Sequence, residues 1–444
     1  SPTGTPYGSV FEPNMLGTGN GDSGSAGGGA MKFIASNVFT INGLIRSNGQ
    51  IQGSGGSIWV DTSEMGGTGT IQTSSTNFRD GPRGGGSGGR VAIYYETMNG
   101  TTPFDYQTNV DISGGNGGAW TPTLYGGSGT LYVEQKGVDT SQSGTLISDN
   151  NGKSSNGYAA LISGDYNFKK IRTVEYGGLK VLGSASKLTI DNNNIFEGDA
   201  SKPGVYTYGT LAFEGSNTFN INGINLYING DYTGINDILV GDVSSAGIIF
   251  YANTWSHNQM RQHTFDTVGI GQYGLLYLVS YNNGNTNYTD DYGMTLTANN
   301  VNVATGGVIS TSYTGYTGTG GPGATAYDCS GLGGAGHGGY GGTWNCSPGG
   351  SPYGNVYEPI TFGSGNRQNE STGGGALKLI VTGVLDLDGK IESNGSVEGS
   401  GGSVWLDVNE IGGTGTVQST SLNADGPRGG GSGGRIAIYY NSLT

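Results

Sequence analysis

Apolar and polar residues alternate over short runs along most of this chain. TLYVEQ at 130–135, KIRTVEY at 170–176, KLTIDN at 187–192 and NLYINGDY at 225–232 each change character at every second position. Successive side chains of a strand point to opposite faces, so a period of two predicts β-strands with one face buried. AALIS at 159–163, TLAFEG at 210–215, DILVGDV at 237–243, GIIFYAN at 247–253, LLYLVSY at 275–281 and MTLTANNVNVATGGVIS at 294–310 extend the series. Most of these runs are bounded by Gly, Asn, Asp or Ser, which tolerate the bends between strands. No stretch carries a 3.6-residue apolar stripe with caps, so helix is expected to be scarce.

The pattern also repeats on a much longer scale. Residues 1–97 return as residues 347–444 at an offset of 346, until one residue drops out near Phe78. AMKFIASNVFTINGLIRSNGQIQGSGGSIWV from Ala30 is matched by ALKLIVTGVLDLDGKIESNGSVEGSGGSVWL from Ala376, and both copies close on DGPRGGGSGGR. A period this long marks an array. Each position is therefore seen twice. Met31 exchanges with Leu377, Phe33 with Leu379, Ile51 with Val397, Ile58 with Val404 and Val91 with Ile436, which predicts core positions. Arg46 exchanges with Glu392, Leu44 with Lys390 and Thr40 with Asp386, as solvent-facing sites permit.

Short strands joined by tight Gly/Asn corners, all of similar sequence, fit a stacked coil better than hairpins. In such a coil each strand pairs in parallel with its equivalent one turn later, about 4.8 Å along the axis, and like side chains stack inside. The expected fold is all-β, an elongated parallel β-helix with Gly-rich loops. Tandem β-sandwich domains are the competing architecture, since short, even spacing fits both. Four regions are expected: a glycine-rich block at 1–97, a middle segment at 98–314, a Gly-rich loop at 315–346 closed by a disulfide, and a second block at 347–444 that begins the next repeat.

Composition narrows the class. Glycine supplies 91 of 444 residues and charged residues only 12%. The recurrent Val, Ile, Leu, Tyr and Trp argue against disorder, and the lack of a strict three-residue glycine period excludes collagen. A net charge of −14 should repel nucleic acid and anionic lipid, and no apolar run is long enough to span a bilayer. No signal peptide is visible, and Ser1 aligns with Ser347 inside continuous text, so the chain reads as a segment of something longer. The only cysteines, Cys329 and Cys346, bracket a glycine tract. A disulfide across its base removes roughly 3 kcal/mol of unfolded-state freedom and fits an oxidising, extracellular setting. The alternative, two thiolates and His337 on a metal, falls short of the four ligands structural zinc takes.

The runs SPYGNVYEP, GGGALKLIVTGVLDLDGKIESNG, GSGGSVWL, GGTGTVQ and GPRGGGSGGRIAIYY resemble the glycine-rich β-helix repeats of very large secreted or surface proteins, adhesin-like ones among them. GTLYVEQ, ISDNNG and GGLKVLGSASKLTI in the middle segment are more loosely similar. The resemblance implies an architecture and an extracellular structural or adhesive setting. It carries no catalytic residues.

The candidate chemistry is sparse. The glycine clusters open no helix and precede no Gly-Lys-Ser/Thr, so a phosphate loop is not expected; their use is steric. Gly17–Asp22 resembles half of a calcium-binding β-roll repeat, but Gln368 stands where Asp22 would return. Asp386 and Asp388, Asp290 and Asp291, and Asp149 to Asn151 are oxygen-rich, yet carboxylates on the strands of an acidic protein are usually solvated. Lys169, Lys170, Arg172 and Glu175 are the best enzyme-like group and show no paired acid and base; His257, His263 and His337 are scattered. No catalytic, cofactor or metal site is expected. Lys32/Lys378, Asp61/Asp407, Glu64/Glu410, Arg83/Arg428 and Arg90/Arg435 recur in both copies and are read as inter-coil ion pairs that fix register. Trp59/Trp405 and Tyr94–Tyr95/Tyr439–Tyr440 recur as core and flank aromatics, and the 27 tyrosines could also contact sugar rings. Glycosylation sequons begin at Asn99, Asn287, Asn345, Asn369 and Asn394.

The leading expectation is a non-catalytic extracellular structural protein, the repeating unit of a fibre, filament or surface stalk, with copies of itself as partner through head-to-tail stacking or tandem continuation. A carbohydrate-binding adhesin module that recognises surface glycans is the alternative, and a polysaccharide-degrading β-helix enzyme a more distant one.

Overall fold

The computed structural model describes residues 5–444 apart from 21–23, 77–83, 99–101, 117–124, 156, 191–195, 200–203, 216–217, 252–260, 283–286, 289–290, 292, 319, 326–332, 367–370 and 423–427. The described residues form strands and no helix, as the alternation predicts. No helix among them is long and apolar enough to cross a membrane. Two compact units emerge, one of Ser1–Asn217 with Gly223–Gly234 and one of Thr218–Asn222 with Ile235–Thr444. The first glycine-rich copy lies in the first unit and the second copy in the second. The expected middle segment is divided between them.

In the first unit the chain from 165 onward visits three sheets in rotation. Strands Asp165–Asn167, Lys170–Val174 and Gly178–Val181 are followed by Lys187–Ile190, Phe196–Gly198 and Gly204–Thr207, and each later strand pairs in parallel with the one three before it. Register is residue for residue: Tyr166 sits beside Leu188 and Leu188 beside Leu211, while Leu179 sits beside Val205 and Val205 beside Leu226. Like side chains therefore stack into columns, and Leu188, Leu211, Leu179, Val205 and Leu226 are all buried. Each such side chain contributes roughly 1.5–3 kcal/mol when removed from water. The glycine-rich copy enters the same way, with parallel pairing of Ala30–Thr40 to Ser57–Gly66, then to Arg90–Tyr95, then to Thr130–Gln135.

One pair departs from this order. Thr145–Asp149 runs antiparallel to Thr130–Gln135, with Leu131 opposite Ile147. The chain reverses through a turn in which Gln135 N donates to Asp139 Oδ2 at 2.8 Å, and Gly137 takes a φ of 78°. Buried Glu134 accepts hydrogen bonds from the Tyr132 hydroxyl (2.6 Å) and from Gln142 N (2.8 Å), and the same hydroxyl accepts from Gly144 N (2.9 Å). A buried carboxylate is tolerated only when so satisfied. Period two holds equally for either strand direction, so the alternation is blind to this reversal.

In the second unit the chain alternates between two long parallel ladders, with a short third pair, Gly395–Val397 and Ser421–Leu422, near its end. One runs Asp237–Val240, Arg261–Ile270, Met294–Val303, Ala376–Leu387, Ser403–Gly412, Arg435–Leu443. The other runs Ala246–Tyr251, Gly274–Val279, Val308–Ser310, Lys390–Glu392, Thr416–Gln418. Leu296, Leu379 and Leu406 form one buried column, and Val301 continues a second through Leu385. Parallel ladders of this extent are not those of antiparallel sandwiches.

Between the strands lie glycine segments packed backbone to backbone. Gly334 N donates to Gly342 O (2.7 Å), Gly350 N to Gly334 O (2.8 Å) and Gly342 N to Gly430 O (2.8 Å), so neighbouring segments bond in more than one direction. At Gly402 a Cβ would lie 2.0 Å from Gly375 O, and at its equivalent Gly56 it would lie 1.9 Å from Gly29 O. A side chain is excluded there by contact. Gly402→Ala should therefore lower the stability of the second unit by about 1–3 kcal/mol in denaturant titration. Gly43→Ala, which meets nothing within 4 Å, should leave stability nearly unchanged.

Candidate functional site

The two copies share a set of contacts that binds an extended strap across the outer face of their strands. Arg90 Nε donates to Tyr7 O at 3.1 Å, and Arg435 Nε to the equivalent Tyr353 O at 2.7 Å. Tyr94 donates to Phe11 O (2.8 Å) and Tyr439 to Tyr357 O (3.0 Å); Ser57 donates to Met15 O and Ser403 to Thr361 O, both at 2.6 Å. Tyr7 and Tyr353 each close their own strap, donating to Leu16 O and Phe362 O at 2.5 Å. The guanidinium suits this role because its fixed fork of donors engages several carbonyls at once. Arg90 also reaches Thr130 Oγ1 (3.1 Å) and Ala160 O (2.7 Å). Burial lowers its pKa to about 10, which leaves it cationic at neutral pH.

Two of the five charge pairs retained in both copies, Lys32/Lys378 and Arg90/Arg435, thus serve in ways other than the expected inter-coil ion pairs. Lys32 Nζ lies 3.3 Å from the centre of the Trp59 ring and Lys378 Nζ 3.5 Å from that of Trp405, a cation–π contact of about 0.5–2 kcal/mol. Asp61 does pair with Lys136 at 2.7 Å, but that lysine lies outside the repeated block, and Asp407 is exposed. Arg428 pairs with Glu398 at 2.9 Å, whereas the first copy has Gln52 at the Glu398 position and Arg83 lies outside the described residues. Glu64 and Glu410 are half-buried. An indole face and a backbone carbonyl carry no charge for a period-two reading to match, so these partners were illegible.

What separates the copies is what lies beside them. Val91 and Ile93 are fully buried under the 130–135 strand, while the equivalent Ile436 and Ile438 on the outermost strand are each 42% exposed. Phe11 packs at 5.0 Å against Tyr132 and is 9% exposed; its equivalent Tyr357 is 72% exposed. The leading strand behaves likewise: Met31, Phe33 and Phe39 are half-buried, whereas Leu377, Leu379 and Leu385 are buried beneath Met294–Val303. Both open edges are lined with residues that are core in the other copy. Of the positions expected in the core, Ile51 is exposed and Val397 half-buried, because the 395–397 strand carries a register shift next to left-handed Glu398.

The remaining sequence candidates do not converge. Lys170 and Arg172 both reach Glu197 (2.6 and 3.2 Å), which holds its carboxyl below the ordinary range; Lys169 reaches Asp139 (2.8 Å), and Glu175 lies apart at a φ of 50°. His263 is buried with its ring 4.3 Å from that of Phe250, and His257 lies outside the described residues. Asp386 accepts from Asn302 (3.0 Å) and Asp388 from Thr414 (2.9 Å), while burial pushes Asp149 up to about 6. Among the described residues no three His, Cys, Asp or Glu side chains gather as a metal site. Asp22 and Asp290 lie outside the described residues, and Asp291 is half-buried. Cys346 is disulfide-bonded, and Cys329, the other cysteine of the chain, lies outside the described residues. Asn287 and Asn345 are exposed, and Asn99 and Asn369 fall outside the described residues. Asn394 differs from Asn287 and Asn345. It is buried, with Oδ1 accepting from Thr420 N and Oγ1 at 2.9 Å each, so the folded chain offers no acceptor there. No protein-family model, curated protein or solved structure matches this chain.

His337 joins its glycine loop to the second copy: Nδ1 donates to Gly401 O (2.7 Å), Nε2 accepts from the Thr361 hydroxyl (2.9 Å), and the ring lies 4.7 Å from that of Tyr353. Burial first, and nearby Arg435, lower its pKa to about 4 from an ordinary 6.5. Between those values the unfolded chain binds the proton more strongly, so stability is complete above pH 6.5 and falls as pH drops to 4, by on the order of 3 kcal/mol. His337→Gln should remove this component, read as the difference between its pH series of denaturant midpoints and that of the parent chain, because Asp149, raised by burial, contributes a slope of opposite sign over the same range. Arg90→Ala should cost about 2–4 kcal/mol, and Arg435→Ala less because its surroundings are more open; hydrogen exchange should show faster exchange at the strap-facing strands.

Proposed function

We propose that this chain is a non-catalytic structural protein, wound as a parallel β-helix and used as the repeating unit of an extracellular fibre or surface stalk. The observation that carries this reading is the double environment of the repeated block. Where a strand lies beside either edge, the apolar rows of the block are buried; where none does, the same rows stand open. Three-sheet rotation with residue-for-residue parallel register supports the winding, and the resemblance to glycine-rich β-helix repeats points the same way. The disulfide at Cys346 favours an oxidising compartment.

Continuation sets the outermost strand of one copy of the block beside the leading strand of the next, along one longer chain or by head-to-tail stacking of separate chains. The contact is heterologous, so it leaves one edge of each kind free and grows into an open filament. Unpaired strand edges supply the backbone donors and acceptors for it. Shape and repetition are the product, and the polar side chains serve register and strap attachment.

Electron microscopy and sedimentation of the full chain test the proposal. Linear particles that lengthen with concentration are expected, and Ile438→Asp, which puts a charge on the open edge, should shorten them at least tenfold at equal concentration. Discrete particles that never associate, whatever the concentration and salt, would sink the reading.

A further inference from the structure

A different feature, in the first unit and independent of the filament reading, is a stack of tyrosines. Tyr206 and Tyr227 occupy paired positions on the parallel strands Gly204–Thr207 and Asn225–Ile228. Their rings are 3.8 Å apart and only 6° from parallel. Tyr158 meets Tyr206 edge-on at 4.9 Å, and Lys180 Nζ lies 4.1 Å from the Tyr158 ring and 5.3 Å from that of Tyr206. Lys180 is paired with Tyr206 from the preceding strand, so Tyr206 has the cation toward one face and Tyr227 on the other. Neither face of Tyr206 is left for a sugar ring. All three tyrosines are half-buried, so their outer edges remain accessible.

We infer that Tyr206 and Tyr227 form a site of oxidative cross-linking, joined through a carbon–carbon bond between the ring positions next to each hydroxyl. The co-reactant is a one-electron oxidant of the peroxidase class with hydrogen peroxide. Each phenol gives up one electron and one proton to become a tyrosyl radical, and the two radicals combine. The hydrogen on each newly bonded carbon then moves to its oxygen, restoring both phenols. Two electrons and two protons leave the pair and reduce one hydrogen peroxide to two waters. The strand register supplies what coupling needs: two rings held together before the second radical forms, where free tyrosines must diffuse to meet. Adjacent strands would then be joined covalently across a ladder that hydrogen bonds and the buried column of Leu179, Val205 and Leu226 otherwise hold.

The test treats the full folded chain with peroxidase and limiting hydrogen peroxide, cleaves at Glu214 to separate the two tyrosines, and maps linked peptides by mass spectrometry. A Tyr206–Tyr227 pair lighter by two hydrogens should be the dominant intramolecular link. It should be lost in Tyr206→Phe, which keeps the stacked ring, and retained in Tyr208→Phe. Unfolding the chain in guanidinium before oxidation should reduce its yield at least tenfold. The inference fails if links form only elsewhere, as at exposed Tyr439 and Tyr440, if Tyr158 replaces Tyr227 as the partner, if no link forms, or if the unfolded chain gives the same yield.

Discussion

Parallel pairing in register is the constraint on which the rest of this protein depends. Once Leu188 must lie beside Leu211 and Leu179 beside Val205, every inward position has to be acceptable as its own neighbour, and every corner has to return the chain at the right height. Apolar columns satisfy the first demand by dispersion and removal from water. Glycine satisfies the second wherever two backbones approach too closely for a Cβ, as at Gly56 and Gly402. The unusual composition is a consequence of geometry. A chain with ordinary glycine content would have no means of packing segments such as 334–342 against 429–434.

The same constraint bears on the charged residues, which are few, and on two of the charge pairs retained in both copies, which contact neutral groups. A side chain on a stacked face has copies of its own kind above and below, so like charges would repel along the column. Lys32 and Lys378 avoid this by resting on indole rings, and Arg90 and Arg435 by turning to backbone carbonyls of the strap. Both solutions are repeated 346 or 345 residues apart, which marks them as properties of the block and not accidents of one site. Two carboxylates are buried among the described residues: Glu134, where the strand direction reverses and a phenol and an amide satisfy it, and Glu398, which Arg428 pairs.

Much of the fold was legible in the residues. The alternation gave the strands, the repeat identified Ile58/Val404 as equivalent core positions, and the pairing of Cys346 was expected from two cysteines bracketing a glycine tract. The exposure of the block's two edges was only half legible. Comparing Ile93 with Ile438 shows one side chain type in one sequence context, yet one is fully buried and the other 42% exposed. No property of the block distinguishes them, because the difference belongs to the neighbouring strand. Asn394 shows the same limit: a sequon is a local pattern, while its burial beneath Thr420 arises from the next turn.

The amino-acid sequence by itself determined the strand type, the period and the positions where only glycine fits, since these follow from side-chain alternation and steric size within a few residues. Tertiary structure alone decided the reversal at 130–149, the choice of indole and carbonyl partners for the retained cations, and the stacking of Tyr206 on Tyr227. Those features depend on which strand lies against which, a relation between residues far apart in the chain that period-two patterning leaves unspecified.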